Sequence, residues 1–440
     1  MCGFVVSIGC DSKEYVKNAT REIDYRGPDE TNYFNNSEKK IFVGHNRLSI
    51  MDPKFSKQPL LSQNQKIIIV YNGEMYNQFE LRNELIKNNI TLKTKSSDSE
   101  VILEGYKYWG EKLIEKIDGQ FAIVVIDLIK NIILISRDKF GEKPVFYYVQ
   151  NNNIIIGSEL KIFKHFKNVN IVNNNLSIKK YFIYSFVPAP QTIYKNIYKA
   201  KHSEIIKINL SNFKISKKNY FNPKIIKNHN FKISEFLEKL DFLMKESVKS
   251  RLLTDSKIGT FLSGGLDSSL ISFYAKKENP NLEAYSISVK EDSFDEIENA
   301  KKMSEHLNIK LKHTSLDFKK FKLNYNKILK LLDEPIGATT YIPMFFLSQL
   351  ASKDVKSSLS GDGADEIFGG YENFNFLKIF RNINKFKLNK FFSKTKSLLN
   401  LLPISKKNLS LDFKLRRFSQ GMEVDEKFQN TFFLSTLSLN

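Results

Sequence analysis

Short apolar runs dominate the first half of the chain and predict a region rich in β-strands. The runs are Gly3–Ile8, Ile41–Gly44, Ile67–Tyr71, Phe121–Asp127, Ile132–Ser136 and Val145–Tyr148. Apolar residues at i, i+3/i+4 spacing predict two helices, near Tyr76–Asn88 and Ser99–Trp109. Many strands with few helices favour stacked sheets flanked by helices.

The second half has a different rhythm. Between residues 209 and 232 the pattern gives way to Asn, Lys and Ser with Pro223, which predicts a linker between a domain at 1–208 and a domain at 233–440. Beyond it, helical and strand patterns alternate, which is typical of a parallel α/β sheet. The predicted elements are Ile233–Arg251 (helix), Ile258–Leu262 (strand), a helix from near Ser268, Glu283–Val289 (strand), Asp295–Leu307 (helix), Leu311–Thr314 (strand), Leu316–Leu332 (helix) and Ser357–Leu359 (strand).

Size and composition fit a two-domain globular protein. A chain of 440 residues with 41% hydrophobic residues exceeds one ordinary core. The formal charge of +20 invites a nucleic-acid partner, but the lysines are scattered and accompany abundant Asn, Ile and Phe. A compositionally biased genome explains that pattern, and we predict no nucleic-acid partner.

The cysteine count and the apolar runs bear on location. Cys2 and Cys10 are the two cysteines, too few for a disulfide framework, which favours a reducing compartment. No run reaches the roughly 18 apolar residues of a membrane span, and the N-terminus lacks signal-peptide features. We therefore predict no membrane association and a cytoplasmic location.

The candidate chemistry of the first half begins at Cys2. A small residue after the initiator Met is common, but removal of that Met leaves Cys2 with a free α-amino group. An α-amine has a pKa near 7.7–8.0, so that a neutral fraction can accept the thiol proton. The thiolate is the nucleophilic form of cysteine.

Other residues suit the needs of such a nucleophile. Asn72 and Gly73 follow a predicted buried strand and could supply oxyanion-hole donors, although in isolation the segment favours an Asn-Gly turn at a strand end. Arg47 offers a bidentate fork for a carboxylate, and Asp98 a partner for an ammonium group. The alternatives are a surface ion pair for Arg47 and a helix N-cap for Asp98.

These segments resemble the glutaminase half of the class II glutamine amidotransferases, the N-terminal nucleophile group. The resemblance is carried by Met1-Cys2-Gly3, Arg26-Gly27-Pro28-Asp29, the Arg47 and Asn72 segments, Ser136-Arg137-Asp138, Gly141-Glu142-Lys143-Pro144 and Ser158-Glu159-Leu160-Lys161. It implies a four-layer αββα sandwich in which Cys2 attacks the amide of glutamine. It also implies that Asn72 and Gly73 form the oxyanion hole and that glutamine is held by Arg47, Leu48, Ser49, Ile50, Met51, Glu74 and Asp98 as well as by the oxyanion pair.

A glycine-serine loop marks the second half. Ser263-Gly264-Gly265-Leu266-Asp267-Ser268-Ser269 follows a strand and opens a helix, so its N–H groups can cradle phosphate. No Lys follows the glycines, which excludes a P-loop. The segment instead resembles the loop of ATP pyrophosphatases. A second acidic loop contains Ser360, Gly361, Asp362 and Asp365.

The spacing of the two loops, with Leu332-Asp333-Glu334-Pro335 between them, resembles the glutamine-hydrolysing asparagine synthetases over essentially the whole chain. That resemblance implies a doubly wound, adenine nucleotide hydrolase-like domain in which ammonia attacks β-aspartyl-AMP made from aspartate and ATP. It implies a homodimer, Mg²⁺ at Asp267 and Asp365, and a supporting role for Asp362 at the adenylate. The ATP residues that it implies are Leu262, Ser263, Gly264, Gly265, Asp267, Ser268, Ser269, Ile287, Ser360 and Gly361.

The sequence departs from this family after Glu372, where the family's Lys-x-Asp-Arg-x-Ser-Met segment is missing. The chain stops on the apolar stretch 431–440, and we expect a synthetase half that is incomplete at its C-terminus. Three alternatives stay open. They are a related amidotransferase acting on another carboxylate, such as a cell-surface sugar acid, a non-catalytic truncated subunit, and a stand-alone glutaminase.

Overall fold

The computed structural model describes residues 1–9, 12–150, 152–225, 232–289 and 295–385, with 415–416, 420–421 and 424–425. The chain divides into two compact units. Unit 1 contains residues 1–174, 189–258 and 355–357, and unit 2 contains residues 175–188, 259–354 and the described residues from 358 onward. Within the described part of the chain, no helix is both long and apolar enough to cross a membrane.

The described strands include all the strands that the sequence predicts, and further ones at Glu30–Asn36, Leu60–Leu61, Asn153–Gly157, Ile197–Lys199, Glu204–Asn209 and Ile215–Asn219 that it does not. In chain order the described strands are β1 (Gly3–Ile8), β2 (Glu30–Asn36), β3 (Ile41–Arg47), β4 (Leu60–Leu61), β5 (Ile67–Met75), β6 (Gly119–Asp127), β7 (Ile132–Arg137), β8 (Phe146–Gln150), β9 (Asn153–Gly157), β10 (Ile197–Lys199), β11 (Glu204–Asn209), β12 (Ile215–Asn219), β13 (Ile258–Phe261), β14 (Glu283–Val289), β15 (Lys310–Leu316) and β16 (Ser357–Leu359).

The described helices fall on both predicted and unpredicted segments. They are α1 (Lys13–Glu22), α2 (Gln78–Lys87), α3 (Asp98–Trp109), α4 (Lys112–Lys116), α5 (Asn175–Tyr184), α6 (Ile233–Arg251), α7 (Leu266–Glu278), α8 (Ile297–His306), α9 (Phe318–Leu331), α10 (Tyr341–Ala351), α11 (Ala364–Phe368) and α12 (Glu372–Lys385). Two short 3₁₀ helices cover Asp24–Arg26 and Leu160–His165.

Unit 1 is a four-layer αββα sandwich, as predicted. Its two antiparallel sheets have the strand orders β10-β8-β9-β1-β3-β2 and β12-β11-β7-β6-β5-β4. Side chains alternate across a strand, so Val6 of β1 packs with Val70 of β5 between the sheets. Val5 points the opposite way and packs on Val16 of α1. Tyr71 packs on the far face of the second sheet against α2 and α3.

Unit 2 contains the predicted α/β sheet. Four strands run in the order β15-β14-β13-β16, and the β13–β14 and β14–β15 pairs are parallel. Helices separate consecutive strands along the chain, which confirms the doubly wound class. Loops that follow parallel strands meet at one edge, and the Ser263 and Ser360 loops follow β13 and β16.

The segment expected to be a linker contributes a strand. Residues 215–219 form β12, which pairs with β11 from Glu204 opposite Asn219 to Ile208 opposite Ile215. All five residues of β12 are exposed, so the sequence carries no alternation of buried and exposed positions there. Residues 226–231 and the C-terminal stretch 431–440 lie outside the described residues. The domain limits 1–208 and 233–440 stay a prediction.

Candidate functional site

Cys2 lies immediately before β1, and its thiol contacts the loop after β3. The backbone N–H of Leu48 donates to Sγ of Cys2 over 3.4 Å, and Sγ lies 3.7 Å from the Leu48 carbonyl oxygen. Burial raises the pKa of the Cys2 thiol, and the nearby carboxylates of Glu74 and Asp98 raise it further. The Leu48 N–H opposes this shift by stabilising the thiolate. The thiol therefore needs a base to become a nucleophile at neutral pH.

The surroundings of the amino terminus lower the pKa of its amine. Burial lowers the pKa of the Met1 amine, and the cations Arg26 and Lys143 lower it further. Lys143 is only 9% exposed, and burial lowers the pKa of its own ammonium group. The sequence alone indicated no role for Lys143, although the Gly141-Glu142-Lys143-Pro144 segment carries part of the resemblance.

Glu74 and Asp98 form a pair of crowded carboxyl groups. Burial, and after it the charge of Asp98, raises the pKa of Glu74. Burial also raises the pKa of Asp98, although hydrogen bonds from Ser99 oppose the shift. Such a pair is electrostatically prepared for a cation, because an ammonium group would remove the repulsion.

Asp98 is not a helix cap, contrary to the structural alternative considered for it. The N-cap of α3 is Ser97, whose hydroxyl accepts from the backbone N–H of Glu100 over 3.2 Å. Asp98 is the first helical residue and is 5% exposed. Its carboxylate therefore does not cap α3.

Asn72 and Gly73 lie near the end of β5, not in a turn, so the turn explanation is wrong. Asn72 is 1% exposed, and its Nδ2 has no hydrogen-bond partner among the described residues. A buried amide donor without a partner is costly, which is expected where a ligand atom completes the bond. Gly73 pairs with Phe121, and a Cβ on Gly73 would lie 2.2 Å from the Gln120 carbonyl oxygen. Packing on β6 thus also requires glycine here.

Arg47 is buried, and its guanidinium holds the loop that follows it. Nη1 donates to the Pro53 carbonyl over 2.9 Å, and Nη2 donates to the carbonyls of Met51 and Asp52 over 3.1 and 2.8 Å. Glu30 also lies 3.7 Å from Nη1. The two terminal nitrogens of Arg47, which were predicted to bind a carboxylate, therefore bind main-chain carbonyls instead. Arg47 thereby holds the segment 48–53 in place.

The other residues of that segment are also fixed. Ser49 donates its N–H to Asp29 over 2.7 Å, while its buried hydroxyl has no partner among the described residues. The Ile50 carbonyl accepts from the Thr254 hydroxyl over 3.4 Å. His45 is buried, and burial lowers its pKa to about 4, so it is neutral at pH 7. Its Nε2 lies 3.3 Å from the Tyr71 carbonyl oxygen.

In unit 2 the Ser263–Ser269 loop forms a preorganised turn at the start of α7. The hydroxyls of Ser263 and Ser268 lie 3.0 Å apart, and Gly265 donates its N–H to the Ser263 hydroxyl over 3.2 Å. Gly264 has φ +85°, and a Cβ there would lie 2.4 Å from the Asn299 carbonyl carbon. Only glycine fits this close approach to α8. Ser269 is buried, and its hydroxyl has no partner among the described residues.

The acidic loop after β16 packs against the same helix start. A Cβ on Gly361 would lie 2.9 Å from the Ser268 nitrogen and 3.0 Å from Cβ of Asp267. The Ser360 hydroxyl donates to the exposed carboxylate of Asp362 over 2.9 Å. Asp365 lies in the first turn of α11. The structure therefore brings together the two loops that the sequence placed about 100 residues apart.

Leu262 and Ile287, two of the expected ATP residues, lie near the carboxyl ends of adjacent strands. The N–H of Leu262 donates to the Tyr285 carbonyl over 3.0 Å, so that this amide already has a partner. The β13–β14 pairing ends at Phe261 opposite Tyr285, and Ile287 extends beyond it. Ligands in open α/β sheets bind in such a position.

Similarity to known proteins defines the family. A model for a glutamine amidotransferase domain matches residues 1–221, half of the chain, and a model for asparagine synthase matches residues 239–435. Asparagine synthetase [glutamine-hydrolyzing] 1 of Bacillus subtilis is 33% identical over 385 residues. A Methanocaldococcus jannaschii protein named for the same activity is 32% identical over 396 residues, covering 84% of this chain and 76% of the relative.

The chain belongs to the glutamine-hydrolysing asparagine synthetase family. It covers less of some family members than of others. The match to the Bacillus subtilis protein includes 84% of this chain but 59% of that relative, and a Mycobacterium bovis protein of the same kind is matched over 60% of its length. The chain thus spans about three fifths of the first relatives that it matches. The solved glutamine PRPP amidotransferase of Bacillus subtilis is 13% identical with a TM-score of 0.37 over 71% of this chain and 65% of that chain, too remote to extend the family assignment.

Proposed function

We propose that this chain makes asparagine from aspartate, using ATP and the amide nitrogen of glutamine. The observation that carries the proposal is the half-buried Cys2 thiol beside the Glu74–Asp98 pair, with an Asn72 amide nitrogen that has no hydrogen-bond partner among the described residues. This combination supplies a nucleophile, a receptor for an ammonium group and an oxyanion donor. Each is required for attack on the side-chain amide of an amino acid.

In the first half-reaction, removal of Met1 frees the amine of Cys2. Burial and nearby cations lower the pKa of the Met1 amine, and we propose that the Cys2 amine next to it is likewise neutral. That amine accepts the thiol proton, and Sγ attacks the amide carbon of glutamine. The developing oxyanion accepts hydrogen bonds from Nδ2 of Asn72 and the N–H of Gly73. The amine returns the proton to the leaving nitrogen, ammonia departs, and water hydrolyses the thioester to glutamate.

Glutamine itself is held by opposite charges. Its ammonium group lies at Glu74 and Asp98, where burial raises the pKa of both carboxyl groups and the charge of Asp98 raises that of Glu74 further; a bound cation would offset these shifts. Its carboxylate meets the segment Arg47–Met51. Because the fork of Arg47 is engaged by the carbonyls of residues 51–53, we propose that Arg47 acts mainly by shaping this segment.

In the second half-reaction, a side-chain oxygen of aspartate attacks the α-phosphorus of ATP and pyrophosphate leaves. Ammonia then attacks the β-carbonyl carbon of the resulting β-aspartyl-AMP, and AMP departs as asparagine forms. The N–H groups and hydroxyls of residues 263–269 bind the phosphates, with Ser360 and Gly361 beside them. Leu262 and Ile287 flank the adenine, and Asp362 supports the adenylate.

Asp267, in the first turn of α7, and Asp365, in the first turn of α11, are the carboxylates that would hold a magnesium ion bound with ATP. Mg²⁺ is commonly bound by one or two carboxylates plus substrate phosphates. Among the described residues no cluster of three or more His, Cys, Asp or Glu could hold a metal, so a site made by protein alone is not offered there. Bound Mg²⁺ would neutralise charge on the departing pyrophosphate. A cytoplasmic location and a homodimer belong to the same proposal, on the strength of the family.

The test uses Cys2→Ala with Cys10→Ala as the matched control. We expect the parent chain and the Cys10 variant to release glutamate from glutamine, and the Cys2 variant to lose this activity by at least about 10³-fold, the order lost with a catalytic nucleophile. Unchanged glutamate release in Cys2→Ala would overturn the glutaminase proposal. Aspartate-dependent exchange of pyrophosphate into ATP tests the second half, and exchange driven by a sugar acid and not by aspartate would replace the acceptor.

A further inference from the structure

Two sequence segments of unit 1 meet at the main chain of Cys2, and only the charge of Arg26 enters the reaction proposed for it. Arg26 follows α1, and Glu159 follows β9. Both are buried, with 8% and 6% of their surfaces exposed. Nη1 of Arg26 lies 2.8 Å from Oε1 of Glu159. The pair therefore joins the first part of unit 1 to a segment more than 130 residues later.

Arg26 uses a different nitrogen to reach the nucleophile. Its Nε donates to the main-chain carbonyl oxygen of Cys2 over 2.9 Å. A guanidinium is planar, so fixing Nη1 at Glu159 also fixes the direction in which the Nε–H points. The orientation of the Cys2 main chain thus depends on the carboxylate of Glu159.

The carboxylate of Glu159 has further partners besides Arg26. Its Oε2 accepts a short hydrogen bond from the Tyr25 hydroxyl and lies 3.1 Å from Nζ of Lys161. Its neighbour Ser158 exchanges two hydrogen bonds with Phe4, one from the Phe4 N–H to the Ser158 hydroxyl at 3.0 Å and one from the Ser158 N–H to the Phe4 carbonyl at 3.1 Å. One short segment therefore fixes the chain just after Cys2 directly and Cys2 itself through Arg26.

We propose that Glu159 is a positioning residue for the Cys2 nucleophile, acting through Arg26. The inference rests on the proposed glutaminase function. A buried ion pair is by itself weak evidence for stability, because desolvation offsets much of the attraction. Its geometry matters here, since a shift of about 1 Å in a reacting group can cost up to about 100-fold in rate.

The experiment compares Glu159→Gln, Arg26→Gln and the double variant in the full chain. Glutamine keeps the shape of Glu159 but loses the charge that orients the guanidinium. We expect kcat for glutamate release to fall about tenfold in Glu159→Gln while KM for glutamine changes less than twofold, because the ligand contacts are untouched. Alkylation of Cys2 by iodoacetamide should change in rate in parallel. Glu22→Gln is the matched control, since Glu22 pairs with Lys164 in the same unit, 2.7 Å away.

The double variant separates positioning from general destabilisation. If Glu159 acts through Arg26, Glu159→Gln adds less than twofold to the defect of Arg26→Gln, because coupled residues are not additive. An undiminished tenfold effect in the Arg26→Gln background would overturn the inference. If Glu159→Gln does not fold, Glu159→Asp takes its place, since it keeps the charge but shortens the side chain. A kcat and an alkylation rate equal to those of the parent would then count against the positioning role of Glu159.

The outcome for the parent chain keeps the two proposals distinct. A parent that releases no glutamate removes the proposed glutaminase function, and this inference with it. A parent that is active, beside a Glu159→Gln variant with the same kcat and the same alkylation rate, removes only the positioning role.

Discussion

Nδ2 of Asn72 is buried and has no partner in the part of the chain that the structure describes, while the thiol of Cys2 accepts a hydrogen bond from the Leu48 N–H in the same unit. The first is an unmet hydrogen-bond donor, and the second is the proposed nucleophile, whose thiolate form the Leu48 N–H stabilises. Proteins rarely leave a buried amide unsatisfied, since the free-energy cost is about 1–3 kcal/mol. In a glutaminase site this cost is offset when the oxyanion forms.

Asn72→Ala should therefore damage catalysis more than stability. Loss of one oxyanion-hole donor typically lowers kcat by about 10²–10³, or about 2.7–4 kcal/mol of transition-state stabilisation. We expect a fall of that order in glutamate release, with a small change in KM, measured by steady-state kinetics and thermal melting.

Asn77→Ala is the matched control for Asn72→Ala. Its side chain bridges the Lys116 carbonyl and the Asp118 N–H, both at 2.9 Å, so it should lower the melting temperature and leave kcat nearly unchanged. Equal kcat values for Asn72→Ala and the parent would remove Asn72 from the oxyanion hole.

Glu74 should make unit 1 less stable as the pH rises. Its pKa is raised in the folded state, so the folded protein keeps a proton that the unfolded carboxyl releases near pH 4.3. Stability contributed by that proton is complete below this pH and is lost as the pH rises toward the folded-state pKa. Glu74→Gln cannot titrate, so its melting temperature should exceed that of the parent at pH 8 and match it near pH 4.

Calorimetry at the two pH values measures this difference, at about 2–4 °C for each 1 kcal/mol in a domain of this size. The pKa of Asp98 is also raised in the folded state, so Glu74→Gln should reduce the pH dependence of stability without abolishing it. Glu84→Gln removes a half-exposed carboxylate that pairs with Lys116, and it serves as the control. A Glu74→Gln benefit of equal size at both pH values would mean that Glu74 is ionised throughout.

The sequence was most informative where burial follows a simple period. Predicted and observed limits coincide for Gly3–Ile8, Ile233–Arg251 and Glu283–Val289. The edge strand β12 was not predicted from the sequence, because it is exposed on both faces and carries polar residues. Its position depends on pairing with β11, and a local pattern does not encode such pairing.

Within the candidate site, the sequence identified residue types better than contacts. In Ser97-Asp98-Ser99 all three residues can cap a helix, and only the extended backbone of Ser97 (φ −71°, ψ 112°) shows which one does. Arg47 was expected to present a free fork, but the path of residues 51–53 engages it. Both outcomes depend on how loops close in three dimensions.

Gly264 and Gly265 should respond differently to alanine, although they are neighbours in one loop. Gly264 has φ +85°, which costs an L residue about 1–2 kcal/mol, and its Cβ would collide with the backbone of Asn299. Gly265 has φ −72°, and its nearest obstacle is the Ser263 hydroxyl at 3.3 Å. We expect Gly264→Ala to abolish aspartate-dependent pyrophosphate exchange and lower the stability of unit 2.

Gly265→Ala should weaken exchange less than tenfold, since its backbone already has an ordinary conformation. Glutamate release measures unit 1 separately and should be unchanged in both variants. If the two alanine variants lose exchange equally, the loop's role is not set by the left-handed conformation at Gly264.

Ser97→Ala should weaken glutamine binding through the helix that carries Asp98. The Ser97 hydroxyl caps α3 and also accepts from Ser56 over 2.7 Å. Loss of an N-cap costs about 1 kcal/mol, and the first turn that loosens contains Asp98. Because Asp98 is proposed to bind the ammonium group of glutamine, KM should rise several-fold, about 1 kcal/mol of binding, while kcat stays within twofold. Asp317→Ala removes the corresponding cap from α9 of unit 2, where Asp317 accepts from Lys320 over 2.7 Å, and should leave KM for glutamine unchanged. A kcat loss without a KM change in Ser97→Ala would place Asp98 in the chemical step and not in substrate binding.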